Sequence, residues 1–183
     1  MRTEVRFAGD GGQGLVLAGI VLAEAAGVYG RHYASQSQFY APVIMGGPSY
    51  ADVVISDSDT AFPWGTSPNV LVALTQRSFD HFVNQVAEDG LILTDPSLVP
   101  ERAIRADRIV PIPAREIAER AGTAKATNMV CVGAVAALTG VATLEQVQKA
   151  IDARVPGRLL DVNRAAAKQV WDYAQAVLGG REA

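Results

Sequence analysis

The chain predicts an α/β fold with three layers, α/β/α, in which a mostly parallel sheet is flanked by helices. Three observations predict it. Short apolar runs alternate with helical stretches along the whole chain. The uncharged, β-branched run NVLVAL (69–74) suits a central strand buried on both faces. The first run, EVRFAG (4–9), ends in the glycine-rich turn GDGGQG (9–14), after which the pattern becomes helical.

Taken in order, EVRFAG is the first strand, and residues 14–27, with Glu24 their only ionisable group, form a helix apolar on all sides and therefore buried. HYASQSQFYAPVIMGGPSYADVVISD reads as an irregular polar segment, a glycine corner and a strand over 51–56. DSDTAFPWGTSP is a loop, because Pro63, Gly65 and Pro68 block regular structure. After NVLVAL, Ser78 caps a helix running to Glu88 with Phe79, Phe82, Val83 and Val86 on one face, and Gly90 closes it. LILTD is the next strand, followed by a Pro-rich connection and DRIVPIP, and Pro113 opens the helix AREIAERA, which Gly122 ends. The uncharged span 126–144 reads as a buried helix. Its unbroken apolar run MVCVGAVAAL falls short of the roughly 20 residues a bilayer crossing requires. TLEQ (143–146) is a capping box that starts a helix with Leu144, Val147 and Ile151 inward. A last helix over 159–178 carries Ala166, Val170, Tyr173, Ala174 and Val177 on one stripe, with Arg164, Lys168 and Asp172 on another.

With 183 residues and no internal repeat, a single domain over 1–183 is expected. A formal charge of -3 and scattered Lys and Arg argue against a nucleic-acid or anionic-membrane surface, which would need a basic patch. Cys131 is the one cysteine, so this chain cannot close a disulfide or supply four thiolates to an iron-sulfur cluster. A reducing, cytoplasmic setting follows, and the N-terminus lacks the apolar core of a signal peptide. The core must be built from Ala, Val, Leu and Ile, since aromatics make up 7% of the chain. Small side chains allow close helix packing and leave flat, weakly charged faces that another subunit could cover.

Gly9, Gly11 and Gly14 match the G-x-G-x-x-G pattern between a strand and a helix, which marks a Rossmann-like turn. Free amides and the partial positive charge at the helix start favour an anion there. A dinucleotide site also takes a carboxylate roughly 20 residues further on, yet no acid lies between Glu24 and Asp52. Asp10 within the turn would repel a phosphate unless it points away, and no Gly-Lys-Ser/Thr follows to make a P-loop. The glycines therefore admit three readings: a stand-alone NAD- or FAD-binding protein, another anion site, or close packing in a purely structural module.

GDGGQGLVLAGIVLAEAA, then YAPVIMGGPSYADVVISD, TNMVCVGAVAALTG and LLDVNRAAAKQV, in this order, resemble the γ subunit of 2-oxoacid:ferredoxin oxidoreductases over essentially the whole chain. The resemblance implies an accessory subunit of a thiamine-diphosphate-dependent enzyme that converts a 2-oxoacid, 2-oxoglutarate slightly ahead of pyruvate, to the acyl-CoA. It implies α and β partners, a ferredoxin-like δ partner and a ferredoxin-type acceptor. Thiamine diphosphate, Mg²⁺ and the iron-sulfur clusters would sit on those partners. This chain would be inactive alone, binding no cofactor by itself and at most contributing to the coenzyme A site and to subunit docking. On that basis the candidate binding residues are Gly9, Gly11, Gly12, Gln13 and Gly14 in the loop, Gly46 and Gly47 in the corner, and Asn128. Where the family commonly has Arg-Gly-Gly, this chain has Met45-Gly46-Gly47, and methionine cannot pair with a phosphate.

No residue stands out as a catalytic acid, base, nucleophile or metal ligand. His32 and His81 lie far apart and read as surface residues. Cys131 sits in an apolar helix and reads as an inert core thiol. Asn128 and Asn163, each near a helix start, read as caps or backbone clamps. Ser56-Asp57 would end a strand at the carboxyl edge of the sheet, with turn initiation the plainer role for Asp57. Tyr40, Met45 and Trp64 are interface candidates.

Overall fold

The computed structural model describes residues 1–39, 48–59 and 65–179. Among these residues six strands form one sheet: β1 (Arg2–Gly9), β2 (Tyr33–Phe39), β3 (Ser49–Ser56), β4 (Val70–Ala73), β5 (Leu91–Thr94) and β6 (Ile109–Pro111). Their order is β2-β3-β1-β4-β5-β6. The helices are α1 (Leu15–Gly27), α2 (Gln76–Phe82), α3 (Ala114–Ala121), α4 (Thr127–Thr139), α5 (Leu144–Arg154) and α6 (Leu160–Gly179).

β1, β4, β5 and β6 are parallel, as expected, but β3 runs antiparallel to both β1 and β2. The sheet is thus mixed. β2 ends at Phe39 and β3 begins at Ser49, a shorter gap than the crossover of a dozen or more residues that parallel neighbours need and antiparallel ones do not. The expected irregular segment at HYASQSQF is in fact the edge strand β2. Its outward-facing polar residues hide the apolar alternation that marks a strand, and pairing with β3 supplies the order that the pattern does not.

Strand side chains alternate between two cores. Val5, Phe7, Val53, Ile55, Val70 and Val72 face a large cluster completed by α1, α3, α4, α5 and α6. Ala8, Leu71, Ala73 and Ile92 face a smaller one completed by Phe79, Phe82 and Val83, on and just after α2. Helices therefore cover both faces, unevenly.

α4 is buried from Asn128 to Ala137, as its uncharged sequence requires. Gly140 ends it in the left-handed conformation. At Gly133 a Cβ would lie 2.7 Å from Val170 Cγ1 and 2.8 Å from the Ala167 carbonyl oxygen, so α4 and α6 meet where a side chain has no room. Thr143 and Gln146 form the expected capping box of α5, and Pro113 and Gly122 bound α3. α2 departs from expectation. Its N-cap is Thr75, with Ser78 as the third-position partner of the box, and it ends at Phe82 before a 3₁₀ turn to Gln85. Ser78 donates to the Ala8 carbonyl and so also ties α2 to β1.

On the α2 side, Arg6 of β1 and Asp52 of β3 form a buried two-bond ion pair, both contacts 2.7 Å. Arg6 Nη1 donates to Gln85 at 2.9 Å, and the guanidinium lies over the rings of Tyr50 and Phe82. Every charge in this group has a partner, the condition under which burial is tolerated.

Candidate functional site

The glycine loop leaves β1 at the carboxyl end of the parallel strands, where open α/β sheets bind ligands. Two amides brace it. Gln13 folds back, so that its Oε1 accepts from the Asp10 N–H at 2.7 Å and its Nε2 donates to the Leu74 carbonyl at 3.3 Å. A Cβ at Gly9 would collide with Gln13 Oε1, so the glycine makes that fold possible. Asn128 Nδ2 donates to the Gly14 carbonyl at 3.3 Å, while its Oδ1 accepts from the Met129 N–H at 3.0 Å. Gly14 is the N-cap of α1 and sits in the left-handed region at φ 73°.

Gly12, Gln13 and Gly14 line an open cleft of about 530 Å³ together with Leu74, Arg115 and Lys125, within the usual size range of ligand pockets. Three helix starts meet at it. α1 begins at Leu15, Arg115 is the second residue of α3, and Lys125 and Thr127 flank the entry to α4. Each start presents amides and partial positive charge. The Asp95 carboxylate, buried at the end of β5, is already committed to the Arg115 N–H at 2.7 Å and to Ser97. Arg115 makes an exposed pair with Glu119, an interaction weak enough for a bound anion to displace. Asp10 does not line this cleft. It borders an adjoining hollow with Gly11, which shares Gly12 and Gly14 with the cleft.

Of the candidates, the structure thus brings Gly12, Gln13 and Gly14 to one cleft, with Asn128 directly behind them. Gly9 is inside the loop at the strand end and Gly11 faces away, with nothing within 4 Å of a Cβ built on it. Gly46 and Gly47, like Tyr40, Met45 and Trp64, lie outside the described residues. Arg115 and Lys125 are new to the site. The signal for them was present: cations at helix starts oppose the helix dipole, so two of them next to Pro113 and Thr123 call for another reason.

Ser56-Asp57 does not reach the carboxyl edge. Because β3 is antiparallel, Ser56 pairs with Arg2 and Ser49 with Gly9, which puts Asp57 at the opposite end of the sheet. There it accepts from the Met1 amine at 2.7 Å and lies 3.0 Å from His32 Nδ1. The amine first, then His32, hold this carboxyl below its usual range. His81 is exposed beside the Phe82 ring. Asn163 donates to the Leu159 carbonyl at 2.7 Å, a clamp at the start of α6. Burial first, and the Asp95 charge second, push the Cys131 thiol up to about 12, the mark of an unreactive core residue.

A dinucleotide reading loses support. The strand after α1 is at the sheet edge, separated from β1 by β3, and it carries no carboxylate to hold a ribose. Among the described residues no group of three or more His, Cys, Asp or Glu could hold a metal ion, and no helix is long and apolar enough to cross a membrane. The donor set fits neither an iron-sulfur cluster nor the metal-bound diphosphate of thiamine. It does fit a phosphate.

Known proteins similar to this chain are oxidoreductase subunits. Subunit KorC of 2-oxoglutarate synthase from Methanothermobacter thermautotrophicus is 39% identical over 163 residues, covering 85% of this chain and 86% of KorC. Subunit VorA of ketoisovalerate oxidoreductase from the same organism is 41% identical over 180 residues, which are 96% of this chain but 37% of VorA. The crystal structure of a keto/oxoacid ferredoxin oxidoreductase γ subunit from Geobacter sulfurreducens matches with a TM-score of 0.84 at 36% identity, over 95% of this chain and 99% of that one. With residues 4–173 also matching its family model, the chain belongs to the pyruvate ferredoxin/flavodoxin oxidoreductase family, among the γ-type subunits of 2-oxoacid:ferredoxin oxidoreductases.

Proposed function

We propose that this chain is a cytoplasmic γ subunit that works only within a larger assembly, that the assembly oxidises 2-oxoglutarate in preference to pyruvate, and that the glycine-loop cleft takes the phosphates of coenzyme A. The observation that carries the last point is the convergence of three helix starts with Arg115 and Lys125 on one open cleft. Coenzyme A has a diphosphate and a 3′-phosphate, and charge-assisted hydrogen bonds from guanidinium, ammonium and backbone N–H are the contacts that hold such groups. Leu74, Leu98 and Ala124 give the cleft an apolar wall for the uncharged part of the molecule. The name of KorC supports the substrate, and the extra length of VorA supports a position beside a larger neighbour. Thiamine diphosphate and the clusters belong to α, β and δ partners, because one buried thiol cannot replace them. When bound by those partners they supply the decarboxylation and electron transfer. This chain's part is to place the acceptor thiol's carrier and exclude misplaced copies of it.

The test uses the complex with its own partner chains. Lys125→Glu keeps a side chain that suits a helix start, so the fold should hold. Loss of one charge-assisted contact, about 1.5–3 kcal/mol, raises KM for coenzyme A by roughly 10- to 100-fold. KM for the 2-oxoacid and kcat at saturating coenzyme A stay unchanged. An intact complex with unaltered KM for coenzyme A refutes the assignment of this cleft, and faster turnover of pyruvate than of 2-oxoglutarate refutes the substrate.

A further inference from the structure

Glycines at 9, 11, 12 and 14 give the loop more backbone freedom than an anion site can use, because amides bind a phosphate well only while they are held towards one place. Asp10 and Gln13 are the two loop residues with side chains. Gln13 restrains the loop from three atoms. Its N–H donates to the Asp10 carbonyl at 3.3 Å and its Oε1 accepts from the Asp10 N–H at 2.7 Å, which closes the loop on itself. Its Nε2 donates to the Leu74 carbonyl at 3.3 Å, just beyond β4. Leu74 is fixed in turn, since its N–H donates to the Ala8 carbonyl of β1 at 2.9 Å, and it lines the cleft. One side-chain amide thus ties the glycine loop to a strand end on the same cleft.

We infer that Gln13 is a positioning residue for coenzyme A, which acts by holding the loop in the shape that brings Gly12 and Gly14 to the cleft and not through its own contact with the ligand. The inference rests on the assignment of this cleft to the phosphates of coenzyme A. It goes further in separating the residue that shapes the site from Arg115 and Lys125, the cations that line it.

Only a neutral amide of this length makes both side-chain bonds. One terminal atom must accept from Asp10 and the other must donate to Leu74, which glutamine does. Glutamate when ionised accepts only, asparagine is one carbon shorter, and methionine matches the length with neither group. Gly9 is the second observation. It is not one of the glycines in the left-handed region, so its own conformation does not demand glycine. A Cβ there would collide with Gln13 Oε1 and lie 3.2 Å from Leu74 Cβ. The first glycine of the loop is therefore needed for the room that the folded-back Gln13 occupies.

The experiment measures KM for coenzyme A and for the 2-oxoacid in the intact complex, with assembly checked by sedimentation. Gln13→Met is expected to raise KM for coenzyme A about 3- to 10-fold, the effect of losing one or two ordinary hydrogen bonds, with KM for the 2-oxoacid unmoved. A damaged fold would instead lower the fraction of active enzyme and leave both KM values alone. Gln13→Glu loses the bond to Leu74 and keeps the one from Asp10, so it too raises KM, while deuterium exchange of the Asp10 amide quickens in Gln13→Met alone. Gly9→Ala reproduces the rise, although Gly9 does not line the cleft, and adds little on top of Gln13→Met. Lys125→Glu is the reference. If it leaves KM for coenzyme A unaltered, the reading of the cleft fails and this inference fails with it. If it raises KM while Gln13→Met does not, if Gly9→Ala and Gln13→Met add in full, or if Asp10 exchanges alike in all variants, the cleft stands and the inference is overturned.

Discussion

Replacing Gly14 by alanine tests how the glycine loop is held. The new Cβ would collide with Asn128 Nδ2 and stand 3.1 Å from its Cγ, at a backbone φ of 73°. The left-handed conformation costs a residue with a Cβ about 1–2 kcal/mol, and pushing the Asn128 amide aside loses a hydrogen bond worth about 0.5–1.5 kcal/mol. With some residual crowding, Gly14→Ala should cost about 3 kcal/mol, which lowers Tm by roughly 6–12 °C in a domain of this size. Asn128→Ala alone removes the same hydrogen bond and should cost about 1–1.5 kcal/mol. The double variant loses that bond once and has no clash, so it should be about 1 kcal/mol or more less destabilised than the sum. Urea denaturation of the four proteins measures this coupling. Additivity within ~0.5 kcal/mol would falsify the bracing of the loop by Asn128. Gly11→Ala is the control, since nothing lies within 4 Å of the added carbon, and stability should move by less than ~1 kcal/mol.

Two other outcomes follow from the packing of α4. Gly133→Ala gains about 1 kcal/mol of helix propensity but forces a carbon against Val170 and the Ala167 carbonyl. Overpacking of this sort costs about 1–3 kcal/mol, so thermal denaturation should show a net loss, and a rise in Tm would mean that α4 and α6 are not in close contact. For Cys131, folding holds the proton up to about 12, whereas the unfolded thiol releases it near its ordinary value of 9.0. Over that window the unfolded state binds fewer protons, so stability falls as pH rises, by about 1.4 kcal/mol per pH unit, and the contribution is fully kept below the lower value. Denaturation of the unaltered chain and of Cys131→Ala at several pH values isolates this slope, because all other titrations cancel in the difference. Parallel profiles would show that the thiol is not buried in the folded chain.

Much of the fold was legible because local chemistry dictates it. Thr143 and Gln146 had to cap, Pro113 and Gly122 had to bound α3, and an uncharged α4 had to be buried. The reversal of β3 was not legible, since direction in a sheet depends on which strands pair and not on any residue of the strand itself. β2 was missed for the same reason. Pairing and α1, which packs against Gln36 through Gly19, make it a strand in spite of its polar sequence. Ser78 reads as a cap because its role in the box looks the same in sequence, but Thr75 three residues earlier is the actual cap. In the site, the glycine turn announced itself, whereas Arg115 and Lys125 are brought to it only by tertiary structure.

The brace at Gly14 also bears on the order in which this protein comes into being. Its two ends, Asn128 and Gly14, are 114 residues apart, and the other clamp joins Gln13 to Leu74, 61 residues on. Bringing such distant segments together is the slow part of folding. A nascent chain that has left the ribosome as far as α3 already contains every loop glycine, yet it lacks the amide that fixes Gly14 and the lysine that completes the cleft. The glycine loop is braced at Gly14 only once a segment made 114 residues later has reached it.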